Sequence, residues 1–221
     1  MKQVTLRAGV GDNGMVIEEM QAEARSLLSD GEYVHALAEF SVLREIRSRR
    51  EGPYSPMYLS NLHDCVRCMS ALQQWADATP LCAELHGKYV RTHGRGAADT
   101  VDVAKHWAWS LLHLDDTAPA VRIYLLTADA LWAQHHDQAQ QLLGAAFVHG
   151  CGHGHEQDPE SLVAVGAVEG VALRNRIDML AALTSLRAQN PPLADARTRT
   201  TIDGLCVQPI RRTLRADPVH E

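Results

Sequence analysis

Residues 30–43 read DGEYVHALAEFSVL, residues 72–85 read LQQWADATPLCAEL, and residues 114–127 read LDDTAPAVRIYLLT. Each stretch opens on a short polar turn. Each then places a small residue in a helix-forming run, with a larger residue four positions later. The small residues are Ala36, Ala78 and Ala120, separated by 42 residues and again by 42. The larger ones are Phe40, Cys82 and Tyr124, and twelve positions ahead of the alanines stand Ala24, Val66 and Ala108. The links between these stretches keep the same step, since Gly52 and Gly94 are also 42 apart. Several coincident positions at one spacing mark an internal repeat.

Each unit has a second periodic segment ahead of its turn. These segments run Met20, Ala24, Leu27; then Leu62, Val66, Met69; then Ala104, Ala108, Leu111. An i, i+4, i+7 spacing is the apolar stripe of an amphipathic helix. Each unit is therefore expected to be a helical hairpin, with alanine at the crossing so that the two axes approach closely. Ser29-Asp30-Gly31 and Leu114-Asp115-Asp116-Thr117 supply stop and cap residues. A single hairpin leaves apolar faces bare, so the units are expected to stack as an α-α superhelix. More than half the chain should be helical and no sheet should form, because β-branched alternating runs are missing.

These residues resemble the tetratricopeptide repeat family. Gly31-Glu32-Tyr33-Val34-His35-Ala36, followed by Phe40, matches its G-x-Y-x-x-A core. The long repeat and the glycine-bearing links at 51–56 (EGPYSP) and 93–100 (HGRGAADT) are similar to the kinesin-light-chain-type subclass, common in bacterial regulatory and scaffold proteins. The resemblance extends over roughly residues 15 to 135. Gln73 and Asp115 stand where the first unit has its turn glycine, and Trp75 and Thr117 stand in place of Tyr33. The resemblance implies an all-α solenoid whose inner face binds peptides or proteins. Three clear hairpins are expected within 1–135. A degenerate fourth unit and C-terminal capping helices are expected over 136–221, as part of the same continuous domain. HHDQAQQLLGAAFVHG (135–150) reads as another first helix, roughly in register. Residues 159–189 read as helical, with Gly170 as the place for a break, and Asn190-Pro191-Pro192 as a stop.

Composition narrows the function. The chain has 221 residues, 46% of them hydrophobic and only 5% aromatic, which points to a core of Ala, Leu and Val. Its formal net charge is −6, which argues against direct nucleic-acid binding. The N-terminus has no apolar signal segment, and no apolar run is long enough to span a bilayer, so no membrane partner is expected. Five scattered cysteines do not form a disulfide framework, and a reduced cytoplasmic protein is the expectation.

Chemistry-bearing motifs are sparse. The segment His149-Gly150-Cys151-Gly152-His153-Gly154-His155 has metal-ligand residue types. Its ligands all crowd into seven residues, and a glycine-rich turn explains it as well. Cys65 and Cys68 form a lone C-x-x-C beside His63, best read as helix packing. No nucleophile elbow, P-loop, dinucleotide fingerprint or H-E-x-x-H occurs. No cofactor and no catalytic set is therefore assigned. The leading reading is an adaptor or scaffold that binds a peptide or acidic protein partner. The alternative is a repeat-scaffold enzyme or metalloprotein using residues 149–155.

One face of each first helix carries the candidate binding residues. A residue one step past the core stripe is rotated about 100° around the helix. Its neighbours on that face are Gln21, Arg25 and Leu28; His63, Arg67 and Ser70; and Lys105, Trp109, Leu112 and His113. In a stack of such hairpins this face lines the concave groove. Arg25, His63, Arg67, Lys105, Trp109 and His113 are the candidate ligand-binding residues. The cations would hold a carboxylate-bearing ligand, and Trp109 would stack on an apolar or cationic group. A solvated face with internal salt bridges to Glu18 and Asp102 is the competing reading.

Overall fold

The computed structural model describes residues 12–150, 159–166 and 173–189. All regular secondary structure among the described residues is helical, and the chain divides into two compact units, Met1–Gln74 and Trp75–Glu221.

In the first unit α1 (Asp12–Ser29) packs on α2 (Tyr33–Glu51), and α2 packs on α3 (Pro56–Ala71). The repeat positions meet in the interior. Ala24, Ala36, Phe40 and Val66 are fully buried, with Leu43, Leu59, Leu62, Cys65 and Cys68 around them. A small residue at each crossing lets a ring or a branched chain fill the space beside it. Ser41 lies 3.9 Å from the Cys65 sulfur. Arg47, mostly buried on α2, donates to Glu18 on α1 and to Glu51 on its own helix, both at 2.6 Å.

The second unit contains α4 (Trp75–Thr92), α5 (Ala98–His113), α6 (Thr117–Leu131), α7 (His136–Gly150), α8 (Pro159–Gly166) and α9 (Arg176–Gln189). From α4 to α7 each helix packs on the next, α8 lies against α6 and α9, and α9 also touches α7. Ala78, Cys82, Ala108, Ala120 and Tyr124 are buried, each at its repeat position. Trp107 and Trp132 pack partly buried against this core. Helix α7 begins four residues ahead of a strict 42-residue step from Ala98, so the register slips at the fourth unit. The segment 159–189 contains two helices. Ahead of α9, Asn175 ties back to the end of α6. Its backbone N–H donates to Asp129 Oδ1 at 2.7 Å, and its side-chain amide donates to the Asp129 carbonyl at 3.1 Å. The expected stop at Asn190-Pro191-Pro192 and the C-terminal capping segment lie outside the described residues.

The turns show how closely the repeat is kept. Gly31, Gln73 and Asp115, each 42 residues from the next, have φ of 81°, 59° and 60°. In every case two backbone bonds close the preceding helix. Gly31 N–H donates to Leu28 and Glu32 N–H to Leu27; Gln73 to Ser70 and Gln74 to Met69; Asp115 to Leu112 and Asp116 to Leu111. This is the Schellman ending, in which a left-handed residue satisfies the last helical carbonyls. Gln73 and Asp115 therefore perform the glycine's part without being glycine. The links repeat as well: Gly52 and Gly94 both have φ of 90°, and their carbonyls accept from Ser55 and Ala97 N–H.

Candidate functional site

The first-unit candidates lie on α1 and α3. Arg25 is exposed, Arg67 is partly exposed, and His63 is almost wholly buried. Helix α3 is buried round most of its circumference, with six consecutive residues from Asn61 to Val66 inside. Outside the predicted face, α3 also buries two polar residues, Asp64 and Asn61. Arg67 Nη1 donates to Asp64 Oδ1 at 3.2 Å, one helical turn back. Burial pushes the Asp64 carboxyl up from its usual range, while Arg67, His63 and, from α1, Arg25 pull it back. The acid inside this basic cluster is therefore Asp64. Glu18, the expected partner of the α1 face, bonds Arg47 instead. The Asp64-x-x-Arg67 spacing was visible in the sequence as an i, i+3 ion pair. No sequence signal marked Asn61, because an asparagine on a helix is ordinarily a solvated residue.

Two buried amides lie on the same two helices. Gln21 lies one turn before Arg25 on α1, and Asn61 lies one turn before Asp64 on α3. They are 1% and 0% exposed, and neither atom of either amide has a hydrogen-bond partner among the described residues. Buried amides are ordinarily paired.

The second-unit candidates lie on α5. Lys105 and Trp109 are partly buried and one turn apart, and His113 is exposed at the helix end. The His113 ring stacks on Trp75, with centroids 4.3 Å apart and planes 4° from parallel. It also meets Trp109 edge-on at 4.7 Å. Trp75, which takes the place of Tyr33 in its unit, is thereby brought to the α5 candidates. Farther along, His86 tilts against Trp107 at 5.5 Å, and burial followed by the Arg95 charge holds its pKa down.

The C-x-x-C is interior. Burial pushes Cys65 up to about 11 and Cys68 to about 12, so both remain thiols, and Cys82 is likewise pushed to about 12. In the Gly/His segment, His149 stacks on Tyr124 at 6.4 Å, while Cys151, His153 and His155 lie outside the described residues. Among the described residues no group of three His, Cys, Asp or Glu is placed to hold a metal ion, and no helix is long and apolar enough to cross a membrane.

Paired helices, a repeated left-handed turn and small residues at each crossing define an all-α helical-repeat protein of the tetratricopeptide-like class. Solved structures similar to this fold include two from Podosopora anserina. The structure of a Podosopora anserina kinesin light chain with nearly identical TPR-like repeats is 14% identical, with a TM-score of 0.50, covering 91% of this chain and 97% of that one. The structure of a point variant of such a Podosopora anserina chain is also 14% identical with a TM-score of 0.50, covering 88% and 92%. No protein-family sequence profile matches the chain. No curated protein matches it either.

Proposed function

We propose that this protein is an interaction module, an adaptor or scaffold, that binds an acidic peptide or protein partner on the cation-bearing faces of its first-of-pair helices. The observation that carries the reading is a pair of guanidinium groups on first-of-pair helices, the exposed Arg25 and the partly exposed Arg67 beside buried Asp64 at 3.2 Å, in a chain whose net charge is −6. Guanidinium groups that reach solvent beside a buried acid suit a carboxylate-bearing partner better than a neutral one. In the second unit Lys105 offers a cation one turn from the Trp109–His113–Trp75 aromatic group, which suits an apolar side chain next to an acidic one. The reading requires no cofactor and no nucleic acid. Interior free thiols at Cys65, Cys68 and Cys82 suit a reducing, cytoplasmic setting.

The test is fluorescence anisotropy with three labelled hexapeptide pools: acidic, neutral and basic. The reading expects the acidic pool to bind, and to bind more weakly to Lys105→Ala and Trp109→Ala proteins. Equal binding of all three pools, or preference for the basic one, would contradict it.

A further inference from the structure

Helix α2 turns an apolar stripe to solvent. Val34, Ala38 and Val42 stand at successive fourth positions, and all three are exposed, Val34 at 64% and Val42 at 49%. Residues four apart share one face of a helix. Ala36, Phe40, Leu43 and Arg47 lie on the other side of α2 and are buried. The repeat does not call for the exposed stripe. Forty-two residues on, α4 holds Ala76, Pro80 and Glu84 at these places and exposes no large apolar residue. The stripe is symmetric in size about Ala38, with a valine four residues before and another four after. The charges along α2 are opposite at its two ends. Asp30 and Glu32 stand ahead of it, and Arg44, Arg49 and Arg50 stand toward its end. Glu45 pairs with Arg49 at 2.7 Å, while Asp30, Arg44 and Arg50 make no ion pair among the described residues. A face that matches itself when turned by half a rotation is what an isologous contact requires.

We propose that α2 pairs antiparallel with α2 of a second copy of this chain, about a two-fold axis at Ala38. Residues equally far before and after Ala38 then face each other. Val34 meets Val42 of the second copy, Glu32 meets its Arg44, and Asp30 lies beside the turns that carry its Arg49 and Arg50. The alanine on the axis lets the two helices approach closely. The opposite charges at the two ends favour this orientation over the parallel one, as do the opposed helix dipoles. Valines and alanines on one helix face make a small contact, at the low end of the interface range. The dimer is therefore reversible, with a dissociation constant on the order of 10–100 μM. This goes beyond the acid-binding reading and does not depend on it. A dimer presents every binding face twice, which raises avidity for a partner with two acidic segments.

The test is sedimentation velocity of the whole chain from about 5 to about 500 μM, a range that spans the expected dissociation constant. The parent is expected to pass from monomer toward dimer as concentration rises. Val34→Glu and Val42→Glu each place two carboxylates in the contact and are expected to weaken association at least about tenfold. Both positions are exposed, so the circular dichroism of these variants should equal that of the parent. Cross-linking on mild oxidation, in a Cys151→Ser and Cys206→Ser background, reads the orientation. Ala38→Cys alone is expected to form an inter-chain disulfide, and so is a mixture of Val34→Cys and Val42→Cys proteins. Val34→Cys alone is not, because its two copies lie about 12 Å apart along the helices, beyond the reach of a disulfide. A monomer at every concentration, or a dimer that Val34→Glu and Val42→Glu leave intact, overturns the proposal. Val34→Cys cross-linking alone as readily as in the mixture overturns the antiparallel arrangement.

Discussion

Ser55 and Ala97 hold the same place in successive repeats, with φ/ψ of −65°/145° and −67°/146°, yet only Ser55 caps its helix. The Ser55 hydroxyl accepts from Tyr58 N–H at 3.2 Å, and Ala97 leaves the corresponding donors of α5 without a side-chain acceptor. Ala97→Ser should therefore stabilise the protein by roughly 0.5–2 kcal/mol, and Ser55→Ala should cost a similar amount. Chemical denaturation checks both. An unchanged midpoint for Ala97→Ser would show that the two turns differ in ways their backbone angles do not reveal.

Gln73 and Asp115 adopt a left-handed backbone that costs a non-glycine residue roughly 1–2 kcal/mol, offset in part by the entropy that glycine loses on folding. Gln73→Gly should gain about 0.5–1 kcal/mol, and Asp115→Gly less, because aspartate tolerates this region better. Gly31→Ala should lose stability by about the same amount. Thermal melting in that rank order is the expected result.

Much of this fold was legible in the sequence. The 42-residue step located the buried positions Ala24, Val66, Ala108, Ala36, Ala78 and Ala120, because a crossing of two helices tolerates only small side chains. The left-handed turns at Gln73 and Asp115 were less visible, since neither residue announces a positive φ. The candidate site was legible in part. Spacing put Arg25 and Arg67 on comparable faces. It did not show that His63 is interior, that Glu18 serves Arg47, or that Asp64 sits among the cations. Those facts depend on which side chains the packed helices bring together, and a single-helix pattern does not encode that.

The crossings are also the most fragile points. Ala78→Trp and Ala120→Trp should each destabilise the protein by roughly 1–3 kcal/mol or more, because an indole has no room at a fully buried alanine. A melting temperature equal to that of the parent would contradict the assigned register.

Thiols pushed up to about 11 or 12 are poor nucleophiles at neutral pH. In a protein carrying Cys151→Ser and Cys206→Ser, the three remaining thiols should resist a disulfide reagent until denaturant is added. Rapid modification of the folded protein would contradict the interior placement of the C-x-x-C.

An acid-binding face is best tested by titration of a labelled hexaglutamate peptide against the parent and an Arg67→Glu protein at low and at physiological salt. Loss of a charged contact is worth roughly 1.5–3 kcal/mol, so charge reversal should weaken binding at least about tenfold. Binding to the parent should itself weaken as salt rises. Equal affinity of the two proteins, with both folded, would contradict an acid-binding face on the first-of-pair helices.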